Sequence, residues 1–124
     1  MQDKPLLIWV LEQGGYPDFS TLYQALGYRV EKAKGVRKAL KLLKHLEPQV
    51  VVAEFNYVPT YGSRISPVEP LLARLQSHHP MSRVLLFSEK ERLPHLDSLG
   101  KIYPGISALS YPVGVAELQR WLTG

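Results

Sequence analysis

Four residues able to do chemistry stand at or just past the ends of apolar runs: Glu12, Glu54, Ser88 and Tyr111. Two carboxylates, a hydroxyl and a phenol can ligate a hard cation through oxygen or hydrogen-bond one another. The Tyr111 hydroxyl suits donation to Glu54, which would satisfy two polar groups that are awkward to bury apart. Aspartate is absent from these places. The chain has only Asp3, Asp18 and Asp97, and none ends a strand-like run.

Other chemistries lack their parts. There is no cysteine, which removes disulfides and thiolate metal sites. Of the four histidines, His45, His78, His79 and His95, two are adjacent at a helix end, and helix neighbours do not converge. Zinc needs three or four converging ligands. Cations complementing a helix C-terminus account better for His78 and His79, so no metal site is expected. Gly14-Gly15 is not the G-x-G-x-x-G turn of dinucleotide sites, and no P-loop occurs. No serine sits in a G-x-S-x-G elbow.

The elements that must position the four residues are legible in the periodicity. Leu6–Leu11 is a continuous apolar run and Val50–Phe55 is β-branched and uncharged until Glu54, as expected of strands covered on both faces. Tyr28–Ala33, Arg83–Phe87 and Ile106–Leu109 supply three more strands. Between them lie helical patterns. The first starts near Pro17, carries Phe19, Leu22, Tyr23 and Leu26, and stops at Gly27. The second runs from Gly35 and ends at Pro48. The third opens at Ser66-Pro67 and closes at His78-His79-Pro80. A fourth, Arg92–Ile102, is interrupted by Pro94 and Gly100, and a fifth spans Val115–Leu122. Strands alternating with amphipathic helices imply a three-layer α/β/α sandwich around a parallel sheet, since parallel neighbours need crossover connections. Ligands of such sheets bind at the carboxyl ends of the strands, where the four residues lie. Residues 1–124 read as one domain.

In order and spacing the chain resembles the receiver domain of bacterial response regulators, in a degenerate form. Leu22–Leu43 is similar to the family's first helix, second strand and second helix. Pro48–Glu54 resembles the strand that ends in the phosphoacceptor aspartate. Leu109-Ser110-Tyr111-Pro112-Val113, followed by Ala116-Glu117-Leu118, resembles the segment holding the family's Lys-Pro pair. The resemblance implies a five-stranded sheet in the order 2-1-3-4-5, flavodoxin-like and of the receiver type. It implies a pocket of two acidic residues after strand one, an acceptor aspartate, a hydroxyl and a lysine. Carried over, these become Leu11 and Glu12, Glu54, Ser88 and Tyr111; Pro112 is kept, and the switch aromatic of strand five becomes Ala108. Leu11 removes a magnesium ligand, and Glu54 is one methylene too long to place its oxygens as aspartate would. Phosphoryl transfer depends on positioning and charge stabilisation, and this set lacks both. Glu54 is then either a permanent stand-in for a charged acceptor or a solvated residue at a strand end.

The expected function is phosphorylation-independent signalling through protein–protein interaction, in a two-component-type system, without enzymatic activity or cofactor. A small-ligand-binding or weakly enzymatic flavodoxin-like domain using the same crevice is the alternative. The resemblance points to the face of helix four, strand five and helix five as the contact surface, here with Tyr103, Arg120 and Trp121. Its partner would be another protein, an attached output domain or a second copy. Trp121 lies one step beyond the stripe of Leu118 and Leu122 and is expected to be partly exposed.

The formal net charge is +4, and Arg37, Lys38, Lys41 and Lys44 fall opposite the apolar stripe of helix two. They form either a solvated face or a patch for an acidic protein or nucleic acid; the lack of interleaved aromatics disfavours nucleic acid. The short run Leu6–Leu11 is neither a signal peptide nor a membrane span, which makes the cytoplasm the expected location.

Overall fold

The computed structural model of the chain describes residues 4–11, 18–55 and 68–124. Pro17, Ser66 and Pro67, expected to open helices, lie outside these residues. Five strands, β1 (Leu6–Leu11), β2 (Arg29–Lys34), β3 (Val50–Phe55), β4 (Arg83–Ser88) and β5 (Ile106–Ser110), form one sheet in the order β2-β1-β3-β4-β5. All four pairings are parallel. The helices are α1 (Ser20–Ala25), α2 (Val36–Leu43), α3 (Glu69–His78), α4 (Leu93–Ile102) and α5 (Val115–Thr123).

Two cores separate the layers. Leu7 and Trp9 of β1, Val50 and Val52 of β3, and Leu85 and Phe87 of β4 pack with Tyr23 of α1 and with Leu118 and Leu122 of α5. The alternate residues Ile8, Val10, Val51, Ala53, Val84 and Leu86 pack with α2, α3 and α4 through Ala39, Leu43, Leu71, Leu75, Leu96 and Leu99. The central strands are buried on both faces, as their predominantly apolar sequences require.

Helix ends differ from the periodicity in instructive ways. α1 stops in a Schellman motif: the Gly27 N–H donates to the Gln24 carbonyl and the Tyr28 N–H to that of Tyr23, with Gly27 at φ 96°. That commits Tyr28 to the cap, so β2 begins one residue later than its apolar pattern. α2 ends at Leu43, well before Pro48. The N–H groups of Lys44 and His45 turn back to the carbonyls of Lys41 and Leu42, which tightens the last turn and brings Leu46 onto the core. Pro94 does not interrupt α4. It falls in the helix's first turn, where the missing N–H costs nothing, and a 3₁₀ turn at Lys90–Arg92 leads into it.

Candidate functional site

The sheet gathers three of the four strand-end residues on its C-terminal edge. β1 and β3 pair through Val10 and Ala53, and Leu11 and Glu54 are the next residue of each strand. β3 and β4 continue with Glu54 beside Phe87 and Phe55 beside Ser88. β4 and β5 end with Ser88 beside Ser110, and the Tyr111 N–H donates to the Ser88 carbonyl at 2.9 Å. Glu12 lies outside the described residues. The Tyr111–Pro112 peptide bond is cis, and Pro112 is exposed.

Alternation along the strands decides which groups share a side. Leu11, Glu54, Phe87 and Tyr111 stand on the α1/α5 face, whereas Ser88 falls on the opposite parity. Ser88 is fully buried, and its hydroxyl donates to the Glu89 carbonyl at 2.9 Å. Glu54 is only 2% exposed, so it is not a solvated strand end. A carboxylate taken out of water must be compensated by hydrogen bonds or charge. Tyr111 does not serve in the way its position suggested, since no hydrogen bond joins its hydroxyl to Glu54. Its ring instead meets Phe87 edge-on, with centroids 6.1 Å apart and planes at 75°.

That contact belongs to an aromatic wall running from Tyr111 through Phe87 and Phe19 to Tyr23 and Trp9, with the closest pair, Trp9 and Tyr23, T-shaped at 5.3 Å. The sequence reading saw Phe19 and Tyr23 only as a helical stripe; the wall depends on β1 and β4 bringing Trp9 and Phe87 to the same face. The Tyr23 hydroxyl is buried with no hydrogen-bond partner among the described residues. Burial, and secondarily the negative charge of Asp18, pushes its ionisation well above the usual phenol range. Asp18 takes a 2.8 Å bond from Lys32 Nζ and another from the Ser20 N–H, and these hold its carboxyl at about 2.

The histidines do not converge. His79 Nε2 lies 3.3 Å from the Leu43 carbonyl oxygen, so it meets the C-terminus of α2 as well as closing its own helix, while His45, His78 and His95 are exposed. Among the described residues no three His, Asp or Glu side chains group as a metal site would require.

Around β5 the expected contact residues divide between the faces. Trp121 is half-buried against the α1/α5 core, with the Arg83 guanidinium 4.1 Å from its ring centroid. Tyr103 packs against the opposite core, and Arg120 is exposed. Two apolar residues on the helices before and after this strand are exposed: Ile102 at the end of α4, 58% exposed, which sequence reasoning missed, and Val115 at the start of α5, expected to pack inward with Leu118 and Leu122 but 55% exposed. Arg37, Lys38, Lys41 and Lys44 are all exposed on the outer face of α2. No described helix is long and apolar enough to cross a membrane.

No protein-family model matches the sequence, and no curated protein matches it. Solved structures do match in fold. The chain is similar to the signal receiver domain of an HD domain-containing protein from Pseudomonas fluorescens, with 22% identity, TM-score 0.69, and coverage of 98% of this chain and 93% of that one. It is similar to the chemotaxis response regulator CheY4 of Vibrio cholerae, with 19% identity, TM-score 0.69 and 98% of both chains covered. A third likeness is the receiver domain of a Francisella response regulator, with 17% identity, TM-score 0.66, and coverage of 96% and 93%. The fold is that of response-regulator receiver domains.

Proposed function

We propose that this chain is a phosphorylation-independent signalling domain on the receiver fold, acting through protein–protein contact in a two-component-type system. Glu54 is the observation that carries the reading. The strand end where the fold family places its acceptor aspartate here holds a longer carboxylate, buried beside Leu11 and the Phe87–Tyr111 wall. A cation-dependent transfer site needs carboxylate ligands and a compensating cation around the acceptor; Leu11 offers no carboxylate and Tyr111 no positive charge.

The surface that would carry the signal is the face of α4, β5 and α5. β5 pairs with β4 alone, its Ala108 is exposed, and the helices before and after it leave Ile102 and Val115 exposed. An edge strand whose neighbouring helices carry exposed aliphatic side chains, with Arg120 exposed elsewhere on α5, offers apolar and polar contact groups. The similar structures include a receiver belonging to an HD domain-containing protein and a chemotaxis response regulator, so the partner is an attached domain, a separate protein or a second copy. Sedimentation of the purified domain, with and without magnesium and acetyl phosphate, tests the reading. Association should be the same in both conditions and should weaken in Ile102→Asp and Val115→Asp. Association that appears only with the phosphodonor would refute it.

A further inference from the structure

The outer face of α2 carries four cations, two of which, in its first turn, are placed against local stability. Arg37, Lys38, Lys41 and Lys44 are exposed, and none carries an ion pair among the described residues. Taking these four from the formal net charge of +4 leaves the rest of the chain at zero (4 − 4 = 0). From Lys32 to Leu46 there is no acidic residue, and Glu31 and Glu47 bound the segment. Lys32, by contrast, is neutralised by Asp18 at 2.8 Å.

Placement within the helix is more telling than number. Arg37 and Lys38 stand in the first turn of α2, directly after its cap Gly35, and no acid accompanies them there. The helix dipole favours anions at that end and disfavours cations. Arg37 and Lys41 are four residues apart, and Lys38, Lys41 and Lys44 follow at three, spacings at which like charges repel. A face selected only for helix stability and solubility would carry glutamates in its first turn. The inward side is fixed by Ala39 and Leu43, with Val36 and Leu40 against the same core. The cations therefore cover an arc of about 120° on the outside, along roughly 10 Å of helix.

We infer that the outer face of α2 is a docking surface for an acidic segment of another protein, one presenting three or four carboxylates within about 10 Å on one side. Nucleic acid fits less well. The patch is short, the remainder of the chain is formally neutral and so gives a phosphate backbone no further track, and residues 32–46 contain no Phe, Tyr or Trp for base stacking. A membrane surface fits less well too, because the apolar side of α2 is already buried in the core. This surface is independent of the chemistry at Glu54 and stands whether or not that crevice is inert.

The test uses three labelled probes in fluorescence anisotropy at low salt. One is a helical peptide with glutamates at i, i+3, i+4 and i+7; the second has the same composition with the glutamates dispersed around the helix; the third is a DNA duplex of roughly 20 base pairs. The clustered peptide should bind at least about threefold more tightly than the dispersed one and more tightly than the duplex. Arg37→Glu with Lys38→Glu should weaken it about tenfold or more while the melting temperature holds or rises, because the helix gains acids at its positive end. Lys41→Gln with Lys44→Gln, which leaves the first turn intact, should also weaken it. Equal affinity for the two peptides, preference for the duplex, unchanged binding by the variants, or no saturable binding would each overturn the inference.

Discussion

Arg83 sits at the start of β4 and fastens α5 to the sheet, and its removal is the most informative stability experiment. Its guanidinium lies 4.1 Å from the Trp121 ring centroid and donates to the carbonyl oxygens of Trp121 and, at 3.4 Å, Leu122. A half-buried cation–π contact contributes about 1 kcal/mol. One well-formed charged hydrogen bond adds about 1.5 kcal/mol, and the long one adds little. Arg83→Ala should thus cost about 2–3 kcal/mol, with lost packing of the stem included. In urea, with a slope of about 1–3 kcal/mol per molar, the midpoint should fall by roughly 1 M at unchanged slope. Trp121→Ala measured alone and combined with Arg83→Ala closes a double-mutant cycle, and the coupling should be about 1 kcal/mol. Sedimentation of the same proteins separates packing from association. Additivity within about 0.3 kcal/mol would refute the Arg83–Trp121 contact as a source of stability. A Trp121→Ala protein that keeps its melting temperature but loses self-association would make Trp121 an interface residue instead.

Two further outcomes follow from the aromatic wall and its rim. Tyr23→Phe removes a buried hydroxyl that has no hydrogen-bond partner among the described residues, so thermal unfolding should show a gain of about 1 kcal/mol, where a loss would mean the hydroxyl is satisfied. The Asp18 carboxyl is held at about 2 in the fold against an ordinary 3.8. Its folded value is depressed, so its contribution is complete above the ordinary value and is lost as pH falls toward 2. Asp18→Asn should accordingly melt lower than the parent at neutral pH, by a small margin that shrinks with salt because the pair is exposed, and the two should converge near pH 2. A difference that persists at pH 2 would point to the side-chain change itself.

The parts of the fold readable from sequence were those set by burial on both faces. β1 matched its apolar run to the residue, and β3 its expected span through Glu54 to Phe55, because a covered central strand is apolar along nearly its whole length. Helix ends were less legible, since caps and turns draw on hydrogen bonds that periodicity does not encode. The Schellman cap moved β2 by one residue, and the turn at Lys44-His45 shortened α2. At the site, sequence order placed Glu54, Ser88 and Tyr111 at one edge of the sheet but could not say which way each faces. Register does that: it sets Phe87 beside Glu54, and the Tyr111 ring packs on Phe87 without a hydrogen bond to Glu54. Periodicity puts Val115 on the inward stripe of helix five and does not single out Ile102; only the packing shows that both are left outside.

Under the proposed function, the pocket around Glu54 carries out no phosphoryl transfer. Intact-protein and peptide mass spectrometry after incubation with acetyl phosphate and magnesium tests it most directly, on the parent chain and on Glu54→Asp. Both should remain unmodified, because restoring the shorter carboxylate returns neither a ligand at Leu11 nor a cation at Tyr111. A stable phosphoryl adduct on Glu54, or one gained by Glu54→Asp alone, would show instead that the pocket transfers phosphoryl groups.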